Sequence, residues 1–362
     1  MDFEVIGCVG ALIIAFAMWR WSLRLEARPA PAPEGQALFQ WDNLPDSERT
    51  VERAEKFLEA NPRDLPRRLG ILMESMESDK PDLQRMRRHT LALIDQLPSA
   101  SMITHANAGL FFVDTAYRDE VLHALTAKLN QGLADHQIHL NLGDILGHAA
   151  VPPTNVEEFR KFHHLPEQTP LPTKLDEAMM KQAISHYEAA GNSKDWTKAI
   201  AAERLAQLLS TAQRPEAIAA FERALELVSP ENRASLLVDF GECLAKNKQR
   251  EKAVEILQSV REHDQGGDAH GPAQFTSEAE TIMGHLALDG GDRAAARKHL
   301  LASTDVQRCV ENTSVGFPTS LAIELLNREP KAVAEYCETV LKEFTPGSED
   351  FEELLKDAQK RV

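Results

Sequence analysis

The sequence predicts an all-α protein: an α-solenoid of stacked helical hairpins behind one amino-terminal transmembrane helix. Three observations predict it. Ala, Leu, Glu and Lys are abundant while aromatics are 6% of 362 residues, a composition that favours helix over strand. A small residue answered twelve positions later by a second small residue, and four later by a large one, recurs along the chain. A mostly apolar run, FEVIGCVGALIIAFAMW, opens it from Phe3 to Trp19, broken only by Glu4.

At ~1.5 Å per residue that run reaches roughly 26 Å, close to the thickness of a bilayer core. Trp19 and Trp21 stand where an interfacial belt would lie, with Arg20, Arg24 and Arg28 following. Asp2 and Glu4 precede the run, and a cleaved signal peptide would want positive charge there. Residues 1–25 therefore read as an uncleaved anchor. The arginines behind it keep the body on the cytoplasmic side of a single-pass membrane protein. Residues 26–46, opening on RPAPAP, read as a stiff, proline-rich linker.

Residues 47–343 read as the solenoid. RRLGILM around Gly70 is a faint first hairpin, and NAGLFF pairs Gly109 with Val121 and Leu125. LNLGDIL centres on Gly143, answered across an insert by Ala183, Tyr187 and Ala190. That insert, 151–174, holds Pro152, Pro153, Pro166, Pro170 and Pro172, which forbid a continuous helix. Its core, VEEFRKFHHL, offers Phe159, Phe162 and Leu165 either to the solenoid or to a docking partner or lipid. The adjacent His163 and His164 make a poor metal pair, because neighbouring side chains diverge and no acidic or cysteine ligand has suitable spacing.

Beyond the insert, RPEAIAAFERALELVSP supplies a second helix with Ala217, Phe221 and Ala224, behind a first helix centred on Ala206. FGECLAKNKQREKAVEIL sets Gly241 against Ala253 and Leu257, and MGHLALDGGDRAAARKHLL sets Gly284 against Ala296 and Leu300. Small residues let paired helices approach, and the large ones fill the space around them. TSLAIELL through KAVAEYCETV is a last hairpin, and 344–362 a tail helix. Hairpins recurring at this period need their neighbours to bury their faces.

The net charge of −16 argues against nucleic acid, because phosphate binding needs a basic footprint. Cys8, Cys243, Cys309 and Cys337 are scattered without a C-x-x-C pair, as buried reduced thiols would be. Phosphate-loop, dinucleotide, zincin, serine-hydrolase and calcium-loop motifs are all missing from the sequence. The expectation is a non-enzyme with no cofactor and no metal.

At Phe240-Gly241, Ala253 and Leu257, at Met283-Gly284, Ala296 and Leu300, and at Ala217, Phe221 and Ala224, the chain resembles the tetratricopeptide repeat family. Its last hundred residues also look like uncharacterised bacterial proteins ending in such repeats, which would place the anchor in a bacterial inner membrane. The resemblance implies a concave groove lined by first-helix positions that bind a protein or peptide. Mapped onto this sequence they are Leu140, Asp144 and His148; Glu203, Gln207 and Thr211; Val238, Glu242 and Lys246; Thr281, His285 and Asp289. So acidic a lining suits a basic or amphipathic helix better than an acidic terminus. The alternative expectation is a permanent structural or assembly subunit of a larger membrane complex.

Overall fold

The computed structural model describes residues 32–45, 49–77, 82–105, 107, 110–133, 135–153, 156, 160, 171–264, 274–304, 319–343 and 348–362. The predicted anchor, residues 28–31 of the RPAPAP motif, Gly109 and the insert's Phe159, Phe162 and Leu165 lie outside them. Every regular element among the described residues is an α-helix, and none is long and apolar enough to cross a membrane. The helices pair as antiparallel hairpins. The chain divides into two compact units, one within Leu25–Ala212 and the other within Gln213–Val362.

The first unit holds α1 (Ala32–Asp42), α2 (Val51–Ala60), α3 (Leu65–Glu77) and α4 (Leu83–Gln96). The short α5 (Met102–His105) and α6 (Leu110–Val113) follow, then α7 (Thr115–Asn130), α8 (His136–Ala150), α9 (Glu177–Ala190) and α10 (Thr197–Thr211). The linker expected over residues 26–46 is corrected here, because α1 occupies much of it. Proline sets φ for a helix start as readily as for a spacer, and tertiary contacts decide between them. Trp41 lies across Gly70 of α3, where any Cβ would collide with its ring. Glu34 is buried and accepts backbone N–H bonds from Ser101 and Met102, each at 3.0 Å, capping α5 from a distance in sequence.

One apolar core then runs through Leu69, Leu93, Ile94, Phe111, Val121, Leu125, Ile138 and Ile145. Its polar members are bonded internally: Asn107 donates to Thr90 Oγ1 at 3.0 Å and accepts from the Tyr117 hydroxyl at 2.9 Å. Aspartates cap four of these helices: Asp82, Asp114, Asp135 and Asp176 each accept from the first turn behind them. The Asp176 N–H also donates to the Ala150 carbonyl at 2.8 Å, which closes the insert at its base and sets α9 antiparallel on α8.

The second unit holds α11 (Ala217–Leu227), α12 (Pro230–Lys246), α13 (Arg250–His263), α14 (Gln274–Asp289) and α15 (Arg293–Ala302). It ends with α16 (Ser320–Leu325), α17 (Pro330–Glu343) and α18 (Glu349–Arg361). Gly241 does receive Leu257: a Cβ there would sit 2.5 Å from its side chain. Phe221 and Phe240 stack with centroids 5.5 Å apart. Gly284 differs from expectation. The side chain pressed on it is Leu321 of α16, while Ala296 and Leu300 are buried in the core with Val333 and Tyr336. Tight turns carry left-handed backbone at Gln213 (φ 53°), Lys248 (φ 60°) and Gly291 (φ 79°). Cys243 and Cys337 are buried and reduced, and burial pushes the Cys337 thiol up to about 12.

Candidate functional site

The predicted groove positions converge best on α8 and α10. Gly143 and Gly147 lie one turn apart on α8 and leave a slot for two large side chains. A Cβ on Gly143 would stand 2.7 Å from the ring of Tyr187, and one on Gly147 would stand 3.2 Å from its hydroxyl and 3.4 Å from Leu208. Tyr187 of α9 therefore lies flat along α8, and its hydroxyl donates to Asp144 Oδ1 at 2.9 Å. Burial, reinforced by the neighbouring Asp144 carboxylate, drives the Tyr187 phenol far above its ordinary range, so it remains a donor.

Asp144 is shared. Arg204 of α10 brings its Nε within 3.8 Å of the same Oδ1, and both side chains are largely enclosed. The Arg204 guanidinium also donates to Gln207 Oε1 at 3.3 Å, and the Gln207 amide donates to Glu203 Oε1 at 3.4 Å. Hydrogen bonds and the Asp144–Arg204 ion pair thus link Asp144, Tyr187, Arg204, Gln207 and Glu203 across three helices. His148 stands one turn beyond Asp144 on α8, exposed to solvent, yet desolvation holds its pKa below the usual histidine value. Thr211 is exposed at the end of α10, its hydroxyl donating to the Gln207 carbonyl at 2.9 Å.

The other positions fare differently. Leu140 and Val238 are each 2% exposed and Thr281 6%, as buried as Asp144 and Glu203 at 6% each, and these three lack even the charge that links the latter to neighbouring helices. Glu242 and Lys246 are exposed and pair with each other at 2.9 Å. His285 is bonded to Ser320 Oγ at 3.0 Å and Glu324 at 3.3 Å of α16, and Asp289 is exposed. The expected lining in the second unit is therefore partly occupied by the protein itself. Tyr187 and Arg204 are the members that position-by-position mapping missed. Gly-x-x-x-Gly in α8 is the signal for the first, since two small residues a turn apart admit a ring. A lone arginine between Glu203 and Gln207 is the signal for the second.

Among the described residues no three histidine, cysteine or acidic side chains converge as a metal set. What the arrangement offers is a rigid, largely buried polar wall between α8 and α10, with Asp144 and Glu203 each 6% exposed and His148 and Thr211 open to solvent beside it.

No protein-family model matches this chain, and no curated protein matches it. Among solved structures it is similar to one described as "Crystal structure of APC/C hetero-tetramer Cut9-Hcn1", with a TM-score of 0.39 and 15% identity. The alignment covers 85% of this chain and 52% of that one, so the chain spans about half the length of the protein it matches.

Proposed function

We propose that this chain is a helical-repeat scaffold that binds a protein segment, with the α8–α10 wall as its recognition surface. The observation that carries the reading is the buried chain from Asp144 to Glu203. Such a network costs desolvation and stabilises the fold little, but it holds charged groups in fixed directions, which is what specificity in recognition requires. Its two carboxylates against one guanidinium, within a body of strongly acidic net charge, favour a basic or amphipathic helical segment. Residues 1–25 would tether the body to a membrane, and the arginines behind them would keep it on the cytoplasmic side.

The test is titration of a labelled basic amphipathic helical peptide, scored by fluorescence anisotropy at two salt concentrations, against an acidic peptide of equal length. Binding of the basic peptide, weakened at least tenfold by Glu203→Lys and by 0.5 M salt but unmoved by Glu242→Lys, supports the wall. Equal binding of both peptides, or indifference to Glu203→Lys, counts against it. Stoichiometric partners that survive detergent extraction and high salt would favour a permanent subunit instead.

A further inference from the structure

Two imidazoles face each other across the α8–α9 hairpin. His139 Nδ1 and His186 Nδ1 are 2.9 Å apart, with ring centroids 5.2 Å apart and planes inclined by 39°. Both side chains are half-buried. Among the described residues each ring has the other as its hydrogen-bond partner and no second one. A histidine that only shapes a hairpin is ordinarily held by a carbonyl or carboxylate, which sets its tautomer. His136, one turn earlier, is held in that way, with Nδ1 at 3.2 Å from the Ala189 carbonyl.

The separation has a chemical meaning. Imidazole nitrogens bind Zn²⁺ at ~2.0–2.1 Å, so two on one ion stand ~2.9 Å apart at a right angle and ~3.4 Å apart at the tetrahedral angle. The two nitrogens point at each other as an N–H···N hydrogen bond requires; an ion needs both rings turned by some tens of degrees to the tetrahedral spacing, which the 5.2 Å between centroids accommodates. The backbone beneath cannot drift, because His139 lies one turn before Gly143 and His186 precedes Tyr187, the residues locked together in the slot. Burial also holds both imidazoles below their ordinary pKa, which keeps them in the neutral form that a metal requires.

We propose that His139 and His186 form a two-histidine site for a borderline divalent transition-metal cation, Zn²⁺ or Ni²⁺, that clips α8 to α9. Water completes the coordination shell. Soft thiolates are absent from the pair and hard carboxylates are bonded to neither ring, so imidazole-preferring ions are selected over Ca²⁺ and Mg²⁺. A cation bound by the folded hairpin alone stabilises it by mass action.

The experiment uses the full chain, stripped with a chelator and then dialysed, and follows thermal unfolding with added ZnCl₂, NiCl₂ or MgCl₂. The expected result is a rise of several degrees at about 100 μM Zn²⁺ or Ni²⁺, none with Mg²⁺, reversal by EDTA, and loss of the rise in both His139→Asn and His186→Asn. Exposed His123→Asn should keep it. No rise in the unaltered chain up to millimolar metal, or an undiminished rise in either pair variant, overturns the site. Should the variants fail to fold, Cu²⁺ bound to the unaltered chain provides a second readout. Its electron paramagnetic resonance spectrum should show two equatorial imidazole nitrogens at one ion per chain, and one nitrogen or none overturns the proposal equally.

Discussion

At the scale of residues, a few small side chains decide how closely helices can lie. Gly143 is bare because the Tyr187 ring occupies the place of its Cβ, and Gly241 because Leu257 does. Gly143→Leu and Gly241→Leu should each overpack a hairpin and cost roughly 1–3 kcal/mol, seen as a lower midpoint in urea unfolding. An unchanged midpoint for both would contradict the packing described. Charge acts at this scale too. Burial pushes the Glu55 carboxyl up, but the His89 imidazole at 3.3 Å, Arg85 at 3.3 Å and Arg88 outweigh it and hold it below its ordinary 4.5. A depressed carboxylate pKa stabilises the fold above the unfolded value, and that contribution is lost as pH falls through the lower folded value. The melting temperature should therefore decline below about pH 4.5 more steeply in the unaltered chain than in Glu55→Gln. Parallel profiles would show that Glu55 contributes nothing.

At the scale of elements, each hairpin leaves an apolar face that the next must cover, and the last needs a lid. The amphipathic α18 lays Phe351, Leu354 and Ala358 on α17, with Phe351 and Tyr336 centroids 6.1 Å apart. Its opposite face is charged, with Lys356, Lys360 and Arg361 paired to Glu352 and Asp357. Deleting residues 348–362 should uncover Tyr336, Cys337 and Val340, lower the melting temperature by several degrees and raise binding of a hydrophobic dye. A truncated chain that melts like the intact one, without added dye binding, would assign the lid elsewhere. At the amino end α1 does comparable work through Trp41 and Glu34. Its burial against α3 and α5 could not be read from a stretch whose local signals are proline and a short, weakly patterned run.

At the scale of the whole molecule, the described helices form two compact units, and the proposed membrane tether rests on the apolar run from Phe3 to Trp19. If that tether is real, the chain should fractionate with membranes, and removing residues 1–25 should shift it to the supernatant with its helical circular-dichroism spectrum intact. Retention in the pellet would mean that another part of the chain binds membrane or a membrane partner.

Helix class and the hairpin at Gly241 were legible because both depend on local quantities: propensity, and small and large residues at a helical period. The pairing of Gly143 with Tyr187 was legible for the same reason, even across the insert. The candidate site was legible only in part. Periodicity names the residues on one face of a helix but not what packs over that face, so Leu140, Val238 and Thr281 read like the exposed Glu242 and Lys246 although they are buried. Leu321 over Gly284, α1 over α3, and the meeting of Asp144, Tyr187 and Arg204 join residues far apart in the chain. Spacing along a sequence carries no record of such contacts, because they depend on how neighbouring hairpins turn toward one another. The sequence by itself thus determined the helical class and the hairpins whose small and large residues keep a local period; α1, the partner of Gly284 and which side chains stay open to a ligand were decided only when the helices packed.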